Sequence, residues 1–277
     1  MRKGMGCILS LCLMLCSAPG RAADSLIFGV TPQQSAAQLA ESWVPLLEEV
    51  GRRLGIPVTF RTAPDAQQFE RRTLAGEFDV VYGSPVLYLA ATKALGVQAV
   101  ARQRQDEQGV LVVRADSPLT HVGQLNGQVV AFPAASAFGG TLLTQAALKQ
   151  RGIAVVPRDL SSDDSVYRAV LDGAVAAGGG VLRTLERQSA DIRANLRTVL
   201  TTEAFPAYPV FVLPRMGRAK ITHLQAVLFS LDDDPVGRAV LRRASLQGIA
   251  LADAHTYDAV RPWSVDAVEA VLQGAVR

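Results

Sequence analysis

The sequence predicts an α/β protein built from two open, mostly parallel sheets flanked by helices and joined by two hinge strands. Three observations carry that reading. Apolar residues alternate between strand-like runs and helical stripes along almost the whole chain. The alternation restarts near residue 115, which argues for a second set of βα units. Two apolar strands, 110–114 and 209–213, bracket that second set, placing one lobe at 23–112 with 209–277 and the other at 113–208.

Residues 1–22 stand apart as a secretory signal. Arg2 and Lys3 precede a short apolar run, Ile8 to Cys16, and Gly20-Arg21-Ala22 offers small residues for cleavage after Ala22 or Ala23. A lipid-anchored alternative would need a small residue before the modified cysteine, where Leu11 and Leu15 stand. All three cysteines lie in this leader, so the exported chain has no disulfide and no thiolate metal site. The leader also holds three bases and no acid, and without it the chain carries no net charge. A neutral exported protein has no electrostatic case for nucleic acid. At 49% apolar and 19% charged residues the composition is globular rather than disordered.

The elements follow in order. Leu26 to Val30 reads as a buried strand, and Ala36, Leu39, Trp43, Leu46, Val50 and Leu54 form one helical stripe. Residues 57–63 are a second strand, and Asp65 caps a helix to Leu74. Residues 79–84 are a third strand, and Pro85 opens the next helix. Residues 98–115 hold two strands around a polar turn. The second set has a short helix at 121–126, a strand at 128–133, a helix at 137–150 and an extended stretch at 155–160. A helix at 163–171, a strand at 174–180, a helix at 183–196 and a strand at 198–201 complete it. The strand at 209–214 and several helices, one at 264–272, close the chain.

In such folds ligands meet the loops after strands and the starts of helices. Four loops qualify. Ser35 begins the first helix, as an ordinary cap or as a ligand contact. Tyr82 and Ser84 flank Gly83 where a strand hands over to a helix. Ser136, Phe138, Gly139, Gly140 and Thr141 form a small-residue loop whose free amides and hydroxyls suit an anion. Ser162, Asp163, Asp164 and Ser165 either cap a helix or present a carboxylate to an amine-bearing ligand. The three glycines at 178–180 mean close backbone approach or an unusual turn.

These segments, with SAAQLAESWVPLLEEVGRRLGIPVTFRTA, FERRTLAGEFDVVYGSP, AFPAASAFGGTLL, DDSVYRAV, AAGGGVLRT and FPAYPVFVLPR in that order, resemble the phosphate/phosphite/phosphonate family of periplasmic solute-binding proteins from about Leu26 to Arg215. The resemblance implies a type II periplasmic-binding fold that closes on a small oxyanion in an interlobe cleft. It implies a periplasmic monomer serving an ABC permease or a membrane sensor kinase. The family's tyrosine motif falls on Tyr82 and Ser84, its anion cradle on Ser136 to Thr141, and its S-H-D-S motif on Ser162 to Ser165. Asp163 stands where that motif has histidine, and Tyr208 stands where a P-x-H-P pattern has one. An acid beside an anion is unfavourable unless a proton is shared, which points to a protonated, zwitterionic or less charged solute.

An enzyme fits poorly. His121, His223 and His255 stand alone, and neither H-E-x-x-H nor G-x-S-x-G occurs. Neither a Walker loop nor G-x-G-x-x-G occurs, so no cofactor is expected.

Overall fold

The computed structural model describes residues 25–135, 137–160 and 162–276. The leader expected at 1–22 and the cradle residue Ser136 lie outside the described residues.

Local sequence accounts for most element ends. β1 (Leu26–Val30) leads into α1 (Ala36–Leu54). The Ser35 hydroxyl accepts the Gln38 N–H, and the Gln38 side chain accepts the Ser35 N–H, a reciprocal cap. After β2 (Val58–Arg61), Asp65 caps α2 (Ala66–Leu74). After β3 (Val80–Tyr82), Ser84 caps α3 (Pro85–Leu95), with Pro85 where a missing N–H costs nothing. β4 (Gln98–Gln103) ends this half.

The second half runs through β5 (Gly109–Arg114) and β6 (Val129–Phe132). A π-helical turn, Phe138–Leu143, then leads into α4 (Thr144–Gln150), where one regular helix was expected. β7 (Val156–Asp159), α5 (Asp163–Leu171) and β8 (Ala177–Val181) follow. The single helix expected over 183–196 is two, α6 (Leu182–Glu186) and α7 (Ala190–Ala194), because Ser189 caps a fresh start and Leu196 joins β9 (Leu196–Thr201). The return comprises β10 (Pro209–Val212), α8 (Arg218–Ser230), α9 (Pro235–Arg243), β11 (Ile249–Ala250) and α10 (Arg261–Val276).

Two sheets result, ordered β11-β4-β10-β3-β1-β2 and β7-β6-β8-β5-β9. Both are mixed rather than mostly parallel. The parallel pairs are β1–β2, β1–β3, β6–β7 and β6–β8, and the remaining pairs run antiparallel. Connectivity explains this. β5 and β10 each begin at a crossing between the sheets, so they run against neighbours that end there.

The crossings between the sheets also differ from the lobe boundary expected at 112/113. β5 is paired on both edges, with β8 and β9, and lies wholly in the second sheet, including the residues 109–112 expected in the first lobe. The chain crosses at 104–108 and at 202–208. There Glu107 and Phe205 exchange two backbone hydrogen bonds, of 2.8 and 2.9 Å.

Both faces of each sheet are covered. One face of the first packs Trp43, Leu46 and Val50 of α1 and Leu224 and Leu228 of α8, and the other packs Phe69, Leu87, Tyr88 and Val271. Phe138 and Leu143, from the second half, are buried in this latter cluster, so the two halves share apolar packing beside the crossings.

Candidate functional site

β1, β3, β6 and β8 deliver their following loops to one cleft of about 170 Å³ between the two sheets. That is the place where open α/β sheets bind ligands, because backbone amides and helix starts converge there.

The first sheet supplies an aromatic wall. Trp43 packs on Phe28 and on Tyr82, with ring centroids 6.1 and 4.7 Å apart, and Tyr82 stacks on Tyr208 at 5.5 Å. The Tyr82 hydroxyl donates to Gln103 Oε1 at 3.3 Å, and burial pushes its pKa up to about 12. Burial likewise raises Tyr208, which bonds the Gln33 side chain. Both tyrosines are therefore neutral donors at any physiological pH. Ser84 lines the cleft too, but its hydroxyl accepts the Leu87 N–H as the cap of α3. Ser84→Ala is expected to cost about 1 kcal/mol of stability, read by chemical denaturation.

The second sheet supplies charge. Its architecture rests on the glycine run of β8. A methyl group built on Gly178 would meet Val166, one on Gly179 the Gly140 carbonyl, and one on Gly180 the Tyr167 hydroxyl. The glycines thus serve close approach, not a turn, and bring α5 and the π-helical turn onto the sheet. Asp163, at the start of α5, is raised to about 6 by burial, against hydrogen bonds from Thr184 and Val181 that favour its charge. Asp164 accepts from Gln188 Nε2 at 2.8 Å.

Two arginines face the same space. Arg183 Nη1 donates to the Ser245 carbonyl at 3.2 Å, reaching across to the first half. Ser245 is the one non-glycine with positive φ, 60°, among the described residues, a backbone state that persists only where its surroundings hold it. Arg187 has no hydrogen-bond or ion-pair partner among the described residues. Arg187 lines the cleft at its solvent-exposed rim, and partial desolvation and the neighbouring Arg183 both lower its pKa. Two guanidinium groups side by side form a site whose repulsion an oxyanion relieves, with fork geometry that fits its oxygens.

A family model described as "ABC transporter, phosphonate, periplasmic substrate-binding protein" matches residues 28–257. The chain belongs to this family. Its members are the periplasmic solute-binding components of phosphonate ABC transporters, binding proteins rather than catalysts. No curated protein sequence matches the chain. Among solved structures, a binding protein component of an ABC phosphonate transporter from Pseudomonas aeruginosa is 14% identical, with TM-score 0.78 over 91% of this chain and 94% of that one. PhnD1 from Prochlorococcus marinus, in complex with methylphosphonate, is 16% identical, with TM-score 0.79 over 88% and 98%. XAC2383 from Xanthomonas citri, solved with chloride ion and with ATP, is 22% identical, with TM-score 0.76 over 90% of this chain and 98–99% of that one. At these identities the likeness establishes a shared type II periplasmic-binding fold.

Of the residues that the sequence offers for the site, Tyr82, Ser84, Phe138, Gly139, Gly140, Asp163, Asp164 and Tyr208 line the cleft. Three expected contacts do not. Ser35 is exposed and its hydroxyl serves the cap of α1. Thr141 is buried and its hydroxyl donates back to the Pro133 and Ala134 carbonyls, at 3.2 and 3.0 Å. Ser165 turns its hydroxyl onto the Ser162 carbonyl at 2.8 Å, within the cap of α5. The amide cradle is also altered. The Gly139 N–H donates to Glu107 Oε1 at 3.1 Å, so the protein's own carboxylate occupies one of its donors.

Sequence reasoning gave no cleft role to Glu107, Arg187 or Trp43, and held Gln33 and Arg183 only as members of the loops 31–35 and 177–184. Arg183 had a readable signal. A cation in the first turn of a helix opposes the positive dipole there, so it needs another reason to be present. Glu107 had none, because it sits in an unremarkable polar turn.

Proposed function

We propose that this protein captures a small phosphonate-type oxyanion between its two halves and releases it unchanged to an ABC permease, after export by cleavage of the leader at Ala22 or Ala23. The observation that carries this is that Arg183 and Arg187, close enough to act on each other, line one interlobe cleft. The two guanidinium groups hold the anionic oxygens. Trp43, Tyr82 and Tyr208 enclose the apolar part of the solute. Residues 25–103 with 209–276 act as one lobe and 109–201 as the other. The pairing of Glu107 with Phe205 keeps the crossings together, so the lobes turn as rigid bodies about 104–108 and 202–208. The family favours a permease over a sensor kinase as the partner, and the protein works as a monomer.

The test is a thermal-unfolding screen of the purified exported chain against phosphate, phosphite, methylphosphonate, ethylphosphonate, 2-aminoethylphosphonate, sulfonates and small carboxylates. A solute that binds only the folded state stabilises it by RT ln(1 + [L]/Kd), about 2.7 kcal/mol at a hundredfold excess over Kd. An upward shift with phosphonates is expected. A shift with carboxylates alone would reassign the solute.

A further inference from the structure

The crossing at 104–108 places a carboxylate where a bound anion would meet the helix start. Glu107 is only 3% exposed and lines the cleft. Its Oε1 takes the Gly139 N–H, and its Oε2 has no hydrogen-bond partner. A buried carboxylate oxygen left bare is unfavourable unless a proton, a water or a ligand group meets it. The groups around it are Arg183 from α6, Asp163 from α5, Tyr82 from β3 and Tyr208 from the second crossing. Arg183 acts on it through space and its Nη1 is turned to Ser245, with no ion pair to Glu107 within 4.0 Å among the described residues. Burial and Asp163 favour the protonated carboxyl, Arg183 and the Gly139 N–H favour the carboxylate, and burial prevails, with a pKa raised to about 7.

Glu107 and the two arginines line the same cleft, so an oxyanion drawn to the arginines shares that space with the carboxylate. Oxygen against oxygen repels unless a hydrogen lies between them. We propose that Glu107 is the specificity-determining residue of the cleft: the bound complex holds one hydrogen between Glu107 Oε2 and the solute. That hydrogen is a proton on either oxygen, or an N–H of the solute. The proposal rests on the oxyanion reading above and deepens it. A fully deprotonated phosphonate without a donor of its own must gain a proton to bind, and a solute carrying an ammonium group need not.

Isothermal titration calorimetry of the exported chain tests this. Titrations run at about pH 6 and about pH 8.5, in buffers of different ionisation enthalpy, with ethylphosphonate and 2-aminoethylphosphonate as probes. At the higher pH ethylphosphonate is expected to take up about one proton per molecule bound and to lose about tenfold in affinity. The aminoethyl probe is expected to take up none and to change by less than about threefold. Glu107→Gln keeps an oxygen for Gly139 and turns an amide donor to the solute. In that variant the proton uptake with ethylphosphonate should vanish and its affinity at the higher pH should rise about tenfold. Ethylphosphonate binding without proton uptake in the unmodified protein, or with the same uptake in Glu107→Gln, overturns the proposal and leaves the oxyanion reading standing. Absence of heat with both probes and with inorganic phosphate at either pH overturns the two together.

Discussion

Arg183→Ala should weaken ethylphosphonate binding by about two orders of magnitude, as truncating one partner of an enclosed charge pair generally does, at about 2–5 kcal/mol. Isothermal titration near pH 7 reads the effect. The thermal midpoint of the ligand-free variant should move little, because the one hydrogen bond lost, to the Ser245 carbonyl, is part-buried and joins the two halves rather than bracing either. Arg183→Lys separates charge from shape. An ammonium keeps the charge and loses the planar fork, so an intermediate loss of about tenfold is expected. If Arg183→Ala binds within about threefold of the unmodified protein, the residue is only a strut to Ser245, and the anion lies elsewhere in the cleft.

Gly179→Ala should destabilise the second half by about 3 kcal/mol, the upper range for forcing a methyl group into close-packed backbone. At this chain length that is a fall of about 6–12 °C in Tm. The reason is specific to the position. The added carbon would overlap the Gly140 carbonyl and press on the Phe132 ring, and neither is the yielding end of a flexible side chain. Relief comes only if the π-helical turn lifts from the sheet, which also moves the Gly139 amide and the carboxylate seated on it. Phosphonate affinity should fall with stability. Gly55→Ala is the contrast. Gly55 has open space around a Cβ and a φ of 71°, so the cost is the backbone term alone, about 1 kcal/mol, with binding unchanged. A Gly179→Ala protein melting within about 2 °C of the original would mean that the turn is not seated as described.

Much of the fold was legible because helix ends are written locally. Ser35, Asp65, Ser84 and Ser162 were readable as starts, and each caps its helix with a hydrogen bond three residues on. The same locality misled the reading of the site. Ser35, Thr141 and Ser165 carry hydroxyls that the sequence also allows as ligand contacts, yet each has a nearby backbone or cap to satisfy, and that nearer partner won. Of the two readings open for the glycines of β8, the structure has close approach rather than a turn, and which groups approach was not legible. At Ser162 to Ser165 the serines cap α5, and Asp163 and Asp164 line the cleft, where Asp164 accepts from Gln188.

The alternation of apolar periods, the restart near residue 115 and the caps by themselves determined an α/β chain in two sheets, since each depends on groups a few residues apart. Tertiary structure alone decided where the sheets exchange the chain and which charges share the cleft. Glu107 meets Gly139 across 32 positions, and Arg183 meets Ser245 across 62. Contacts of that span leave no periodic trace in a sequence, because their energy depends on burial and distance, which exist only once the two halves have closed around them.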